Sequence, residues 1–524
     1  MKADLVNLTV KRLEGLRANR DSTESQDVRK LVEIILCSES DVRAKILDMD
    51  VEMRERVLQE MLRKECWDRD GNKRMFNKML SAFMLLLSPL TRSLDLSRFF
   101  SFCPKHKMNS AMEEVLGWIA IMAPEVNHLI LEDSSWNDDR GVEPLSPDVL
   151  RSLSELDKLS RLQAGQSLIA FSDLLHLCQT LPKLRFLKVF HASKFDPEIP
   201  LEVIKRSLGH LRALVCTVPF FVGKNWLLDF FAKLPNIEVF NNCSFFDIDA
   251  RDFKFRNEPY VRFLFFTLDG SLFSHHDIVM LRLLNPKVTH LMVEWTLDRS
   301  DTCRKQDELL KFENIEALSL QNVQSAETVI GFVFFYGKNL HTFILAGSIG
   351  DDLCFLSLNL ILKLTPNLKT LSLDRVILKD DSEPLIYSAR LTDLRWKIRG
   401  RRVSVLTNIL SAPKLKRIEL TLERFDLTDL AGLTFLVTNN RILNQLESLS
   451  FCWSDPHGLF INFWTLEILG VFLKSASAFL PKLIDLRFTL KLPDYNGNFI
   501  SFKGIEYPEL RDTDLLKILK AYYY

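Results

Sequence analysis

The phrase Leu368-Lys-Thr-Leu371-Ser-Leu373 carries apolar residues at its first, fourth and sixth positions, and it recurs along this chain. Its copies begin at Leu184, Leu211, Ile237, Val261, Val288, Ile315, Leu340, Leu368, Leu391, Leu415, Leu446 and Leu483. The first nine intervals between these starts span 23 to 28 residues, and the last two span 31 and 37 residues. A nearly fixed period of this size is typical of stacked supersecondary units, so the phrase predicts a repeat architecture.

Each repeat predicts one strand and one helix. Apolar residues alternate within the phrase, which places them on the buried face of a short strand. Before the next phrase they follow helical spacing, as Phe355, Leu358 and Ile361 do. We therefore expect an α/β fold, a horseshoe-shaped solenoid with parallel strands on its concave side and helices on its convex side.

The period also sets the expected domain organisation. An earlier copy begins at Val126 and a degenerate one at Thr91, and the 58-residue gap between Val126 and Leu184 has room for one more unit that the phrase does not place. We expect about 13–15 units within residues 89–500. A helical segment over 1–88 precedes them, and a C-terminal cap over 501–524 contains a short helix.

The phrase and its period resemble those of leucine-rich-repeat proteins over roughly residues 90–490. The spacing is similar to that of the longer, helix-backed repeats of intracellular members. The family usually carries Asn or Cys three residues after the last Leu of the phrase, where this chain has Val323 and Val376 in two clear copies. The resemblance implies a protein-binding solenoid.

The first 88 residues predict helices only. Residues with i, i+3, i+4 spacing form one apolar stripe, made of Val28, Leu31, Val32, Ile35 and Leu36. Similar stripes follow within residues 57–62 and 76–87. One interpretation is a cap that covers the first repeat, because each solenoid end needs one. The other is a module that docks an adaptor protein.

Helices followed by a long leucine-rich array resemble substrate receptors of cullin-RING ubiquitin ligases. In these receptors the helices hold an elongin-type or F-box-binding adaptor, and the repeats hold the target. The candidate adaptor-binding residues are Leu5, Leu8, Thr9 and Leu13. An elongin-binding box has Cys four residues after its Leu, whereas Thr9 follows Leu5 here, and the nearest F-box match at Ile46 lacks the usual Leu-Pro. The alternative is a leucine-rich-repeat scaffold or regulatory binding protein without a ligase.

Composition favours a cytoplasmic or nuclear protein. The chain has 68 basic and 68 acidic residues, so its net charge gives no electrostatic reason to expect nucleic acid as the partner. No secretory signal and no apolar run long enough to span a membrane is present in the sequence. The nine scattered cysteines suit a reducing compartment.

Signals for an enzyme, a cofactor or a metal are weak, and we expect none of the three. The stretch Gly331–Asn339 has the wrong spacing for a phosphate loop and predicts a core helix followed by a turn. Cys103 and His106 lack a second ligand pair and predict a surface loop. His275 and His276 predict solvated turn residues, and the basic cluster Arg399–Arg402 predicts an exposed turn.

The candidate partner-binding site lies on the concave face. Residues between the apolar positions of the phrase point away from the core. Aromatic, apolar and neighbouring polar residues occupy these positions in the early and middle units, at Phe186, Lys188, Phe190, Phe263, Phe265, His290, Met292 and Glu294. Charged residues occupy them later, at Asp374, Asp393, Arg395, Lys397, Arg417, Glu419, Asp485 and Arg487. This combination suits a protein partner. The alternative is a one-residue shift that puts Phe263 and Phe265 in the core.

Overall fold

The computed structural model describes a large part of the chain. The described residues are 28, 31–36, 46, 49–64, 73–131, 145–193, 199–217, 234, 236–241, 255, 261–268, 274–295, 302–323, 325–348, 354–379, 390–403, 406–454, 463–493 and 499–503. The chain divides into two compact units, unit 1 over Met1–Val261 and unit 2 over Arg262–Tyr524.

Unit 1 alternates helices with the strands of one sheet. Its helices are α1 (Val51–Leu62), α2 (Lys73–Leu86), α3 (Met108–Met122), α4 (Pro147–Ser154), α5 (Phe171–Thr180) and α6 (Leu201–Leu208), with 3-10 turns at Phe99–Phe102 and Lys105–Lys107. Its strands are β1 (Ser93–Asp95), β2 (His128–Ile130), β3 (Arg161–Ala170), β4 (Phe186–Ser193), β5 (Ala213–Thr217) and β6 (Val239–Asn241). They pair in sequence order, and every pair is parallel.

Unit 2 repeats the same pattern. Its helices are α7 (His275–Leu284), α8 (Thr302–Leu309), α9 (Ala326–Tyr336), α10 (Leu358–Leu364), α11 (Leu406–Leu410), α12 (Leu427–Thr438) and α13 (Phe463–Phe479). Its main strands are β7 (Phe263–Leu268), β8 (His290–Trp295), β9 (Ala317–Val323), β10 (Thr342–Gly347), β12 (Thr370–Asp374), β14 (Asp393–Val403), β15 (Arg417–Phe425), β16 (Ser448–Ser454), β17 (Asp485–Pro493) and β18 (Phe499–Lys503).

These ten strands form one sheet in chain order, parallel from β7 to β17. β18 is the last strand of this sheet and pairs antiparallel with β17. Two short strands, β11 (Cys354–Ser357) and β13 (Val376–Lys379), pair separately in parallel. The predicted α/β fold of strand–helix repeats is confirmed, and it is a leucine-rich-repeat fold.

The phrase residues form the core of each unit. In the quoted copy, Leu368, Leu371 and Leu373 are all buried. The fourth residue of each copy faces the fourth residue of the next, as Leu371 does with Phe343 on one side and Leu394 on the other. Neighbouring repeats therefore bury one another through in-register apolar pairs.

The unit that the phrase did not place lies at Leu159. Leu159, Leu162 and Ala164 are buried at the first, fourth and sixth positions, and β3 carries the last two. Because the small residue Ala164 occupies the sixth position, a search for large aliphatic residues misses this copy.

Helix boundaries follow local side-chain chemistry. Ser146 caps α4, where its hydroxyl accepts a 3.2 Å hydrogen bond from the Val149 amide and Pro147 occupies the first turn. Helices end shortly before a Pro that precedes the next phrase, as α7 does before Pro286 and α10 before Pro366. Pro cannot donate the next helical hydrogen bond, so it separates helix from strand.

The described residues before β1 are mostly helical and share one core with the first repeats. Leu58 of α1 and Phe83 of α2 are fully buried in the cluster that contains Leu94 of β1. The Gln59 amide donates to the Ser93 carbonyl oxygen at 3.0 Å, and the Thr91 hydroxyl donates to a Glu55 carboxylate oxygen at 2.8 Å. These contacts fit a cap on the first strand, and the division at residues 88 and 500 remains a prediction.

A membrane-spanning helix is absent from the described part of the chain, where every helix is too short or too polar to cross a bilayer. The predicted C-terminal helix at Thr513–Tyr522 lies outside the described residues.

Candidate protein-binding face

In unit 2 the residues between the phrase positions form continuous rows across the sheet. The fifth phrase position gives one row in register, which runs through Phe265, Met292, Ser319, Ile344, Ser372, Arg395, Glu419, Ser450 and Arg487. We call the sheet face that carries these rows the non-core face. It contains every candidate partner-binding residue of unit 2.

Two residues of the predicted site are buried. Phe263 is 6% exposed and Met292 is 1% exposed, so both offer little surface to a partner, and their role in partner binding stays a prediction. The phrase residues Leu264 and Phe266 are buried as well, so the phrase positions of β7 are not shifted by one residue. The Phe265 side chain lies outside the described part of the chain.

Packing on the non-core face explains this burial. The Phe263 ring stacks on His290 with centroids 4.0 Å apart. Beside Met292 in register, Ser319 is buried and its hydroxyl accepts a 2.7 Å hydrogen bond from Gln321, which is also buried. Alternation of the strand residues predicts the correct sheet face for these side chains. Over β8 and β9, however, this face is closed, which means that Met292, Ser319 and Gln321 on it are buried.

Glu294 is half-buried at the edge of this closed area. Burial raises the pKa of its carboxyl above the usual value. The Asn322 side-chain amide donates to it at 3.2 Å, and Asn322 adopts a positive φ of 57° at the end of β9. Asn tolerates this left-handed conformation better than most residues, which brings its amide beside the carboxylate.

The charged part of the predicted site is exposed. We call it the charged patch, and it consists of Asp374, Asp393, Arg395, Lys397, Arg417, Glu419, Asp485 and Arg487. Its most exposed strands are β14 and β15, where the Arg395 and Glu419 side chains are 54% and 56% exposed and form a 3.3 Å ion pair. Strands β12 and β17 present half-exposed residues on either side.

Ion pairs connect neighbouring strands of the charged patch. Arg417 contacts Asp393 across β14 and β15. Arg487 lies 3.0 Å from Asp485 on β17, and the Ser448 hydroxyl donates to the other Asp485 oxygen at 3.0 Å. Ser448 was not among the predicted residues, although its alternate position in β16 was a sufficient signal.

Two further residues complete the charged patch. Lys397 is exposed and forms no ion pair with the described residues. Asp374 lies 3.8 Å from Arg375, which has a positive φ of 54°. The patch thus has equal numbers of acidic and basic groups, and their order along the sheet is fixed. Such an order of charges favours one orientation of a bound partner, which net charge alone would not do.

In unit 1 the corresponding face is mostly covered. Phe186 is buried, and Lys188 is half-exposed. The Phe190 side chain lies outside the described part of the structure. The candidate adaptor-binding residues also lie outside it, namely Leu5, Leu8, Thr9 and Leu13.

The weaker motifs resolve individually. Gly331 lies within α9 and a turn follows at Gly337, as predicted. Cys103 is buried while His106 is exposed, so a surface loop is wrong for Cys103, whose pKa burial raises to about 12. Among the described residues no group of three or more His, Cys, Asp or Glu side chains could hold a metal ion.

Two predicted turns are regular structure instead. His275 and His276 open α7, because Ser274 and Asp277 form a reciprocal capping box that starts the helix there. The basic cluster Arg399–Arg402 belongs to β14, which resumes pairing with β15 after a register shift that follows Ile398. Backbone pairing with the neighbouring strand therefore overrides the turn signal of Gly400.

Comparison with known proteins yields likeness to solved structures only. No protein-family model matches the sequence, and no curated protein matches it at a significant level. An internalin from Listeria monocytogenes is 15% identical, with 66% of this chain and 79% of that chain covered and a TM-score of 0.29.

Two other solved structures show comparable likeness. The Rad7 and Elc1 complex in yeast is 12% identical, with 86% of this chain and 92% of that chain covered and a TM-score of 0.30. A complex of TLR13 with ssRNA13 is 14% identical, with coverage of 73% and 55% and a TM-score of 0.31. At TM-scores of this size the likeness carries no argument about what this chain binds.

Proposed function

We propose that the chain binds a protein partner through the charged patch of unit 2. The observation that carries the proposal is the exposure of this patch, because the non-core face is closed over β8 and β9 and open over β14 and β15. Leucine-rich arrays bind partners along such a face. The ion pairs of Arg395 with Glu419 and of Arg417 with Asp393 favour one arrangement of these side chains, which reduces the entropy cost of docking against them.

A charge-reversal variant tests the proposal. The double variant R395E/R417E should lose the partner at least about tenfold in a native pull-down followed by mass spectrometry, because like charges then meet across the interface. Its effect on stability should be small, since exposed ion pairs contribute about 0–1 kcal/mol. K474E, on the exposed side of α13, is a single charge reversal of the same kind away from the patch. Equal recovery by all three proteins would contradict the proposal.

The more specific role that we propose is substrate recognition in a cullin-RING ubiquitin ligase. Its support is the order of parts, in which described helical residues precede a long repeat array. In this role the segment over residues 5–13 holds an elongin-type or F-box-binding adaptor and the charged patch holds the target. The alternative is a non-ligase scaffold that uses the same patch.

Substitution at the candidate adaptor-binding residues separates the two roles. Removal of residues 1–85 would expose the core that α1 and α2 share with β1, so the full-length L5D/L8D/L13D variant is the sharper choice. For a ligase receptor, the wild-type chain should co-purify with an adaptor that the variant loses, while both keep the target. A wild-type chain that retains no adaptor would rule out the ligase role and leave the scaffold.

A further inference from the structure

The helix-to-strand turns of unit 2 lie along one edge of its sheet. Strands β8, β9, β10, β12, β15, β16 and β17 each follow a helix, and all are parallel members of that sheet, so the turns that enter them meet the same edge. Neighbouring strands are about 4.8 Å apart, so the turns form a continuous surface. We call this surface the turn flank, and it consists of residues 281–289, 306–316, 333–341, 361–369, 407–416, 435–447 and 476–484.

Hydrogen bonds between successive turns hold the turn flank in place. The Asn314 side-chain amide donates to the Pro286 carbonyl oxygen of the preceding turn at 3.1 Å. In the same way, the Asn367 side-chain amide donates to the Lys338 carbonyl oxygen at 2.7 Å. The side chains that the flank presents to solvent therefore extend from a backbone whose turns are linked to one another.

The exposed large apolar side chains of unit 2 collect on the turn flank. Among the described residues of this unit, all of them except Val471 lie there. In three turns an exposed apolar residue precedes an exposed lysine by three positions, namely Leu284 before Lys287, Phe335 before Lys338 and Phe479 before Lys482. Isolated exposed apolar residues are ordinary on a protein surface, but their repetition beside lysine along one flank requires an explanation.

The turn flank is also basic. Its carboxylates, as far as the structure describes them, are confined to the turn between α8 and β9 and to Glu447, which lies 2.8 Å from Lys416. Cations at helix C-termini stabilise the helix dipole, which explains part of this charge. The exposed lysines of the other turns include Lys287, Lys338, Lys363, Lys369, Lys414 and Lys482. The flank is therefore complementary in charge to an anionic partner.

The composition of the turn flank favours one kind of anionic partner. Protein interfaces are depleted in lysine and concentrate their anchoring aromatic residues near the centre. Here lysine predominates among the cations, and the apolar residues are distributed over separate turns. At a membrane surface, lysine attracts the phosphates of anionic headgroups, while leucine and phenylalanine enter the boundary between headgroups and acyl chains. Both features of the flank then have a function.

We infer that the turn flank of unit 2 binds the surface of a membrane that contains anionic lipids. Each repeat adds one turn to the flank, so several weak contacts act together on the same surface. The flank lies along the edge of the sheet, whereas the charged patch lies on its non-core face. The inference therefore goes beyond the protein binding proposed for the charged patch, and the two surfaces are tested by different variants.

Binding to vesicles tests the inference. The full-length protein is titrated with phosphatidylcholine vesicles that contain about 30% phosphatidylserine, and with vesicles of phosphatidylcholine alone. The wild type should bind the anionic vesicles more tightly, and about 0.5 M salt should weaken this binding, because salt screens exposed charges.

Removal of lysines should weaken binding without unfolding the protein. Lys338, Lys363 and Lys414 are exposed and form no ion pair with the described residues, so K338Q/K363Q/K414Q should fold normally. This variant should bind anionic vesicles about 100-fold more weakly than the wild type, because each lysine near an anionic surface contributes about fivefold. The matched control, K73Q/R74Q/K78Q, removes three exposed cations from α2 and should bind as the wild type does.

The apolar residues are tested separately. L284S/F335S removes two side chains that are 60% and 61% exposed, and it should weaken vesicle binding at least about tenfold. V471S changes an exposed apolar residue outside the flank and should leave binding unchanged.

The inference is overturned if the wild type binds neither kind of vesicle or both equally, or if K73Q/R74Q/K78Q loses as much binding as K338Q/K363Q/K414Q does. Full binding by L284S/F335S would show attraction of charge alone, which any polyanion provides, and would exclude insertion into a membrane surface. Tighter binding to a poly-glutamate peptide than to anionic vesicles would identify an acidic protein segment as the partner and would likewise overturn it.

Discussion

At the residue scale, Glu308 is a buried charge that the phrase did not reveal. It is 8% exposed at the end of α8 and lies 3.2 Å from the His275 ring, 3.8 Å from Arg282 and 2.5 Å from Lys311. His275 and Arg282 belong to α7, so one carboxylate links two consecutive helices. The hydrogen bond from Lys311 is the largest cause that lowers the pKa of Glu308 from 4.5.

This arrangement predicts a stability difference that depends on pH. A carboxyl whose folded pKa is depressed stabilises the fold above its unfolded pKa, and the contribution disappears as pH falls through the folded value. E308Q should therefore lower the free energy of unfolding by about 1–2 kcal/mol at pH 7, since the side chains of His275, Arg282 and Lys311 stay partly in solvent. Urea titrations should show the two proteins converge below pH 4.5.

The matched control is E419Q, which removes a carboxylate whose partner Arg395 is well exposed. It should cost less than about 0.5 kcal/mol at any pH. A wild-type advantage over E308Q that stays constant down to pH 3 would show that the stabilisation has another source.

At the element scale, the sequence was sufficient for most strands of the two large sheets and for the sheet face of their described phrase residues. The phrase located β4, β7, β8 and the strands that follow, because alternation and period are local properties. It missed β3, whose copy ends in Ala164, and it treated the C-terminal part of β14 as a turn. The first error comes from the small side chain of Ala164, and the second from pairing with β15, which a local pattern does not encode.

Burial on the non-core face could not be predicted at all. Met292 and Arg395 occupy the same phrase position, yet Met292 is buried and Arg395 is exposed. Phe186 is likewise buried, and Phe255, 69 positions later in the sequence, contacts Arg161 of β3 and Arg212 just before β5. Alternation gives the direction of a side chain, whereas its exposure depends on segments remote in sequence.

At the scale of the whole molecule, each of the two units has a core built from the same repeat. Repeats contact mainly their neighbours, so a local defect should spread through adjacent repeats and weaken with distance. Phe332 of α9 is fully buried between Trp295 and Tyr336, with ring centroids 5.9 and 6.3 Å away. In unit 1, Phe83 is equally buried, with Phe99 at 5.3 Å.

Paired truncations in the two cores should therefore act locally. F332A and F83A each remove a buried ring at a cost of about 3–5 kcal/mol. Hydrogen exchange read by mass spectrometry should show faster exchange in β8, β9 and β10 for F332A, with β1, β2 and β3 unchanged. F83A should produce the reverse. Each variant thus controls for the other. If either one accelerated exchange evenly across both units, the chain would unfold as a single cooperative body and the repeats would not be energetically local.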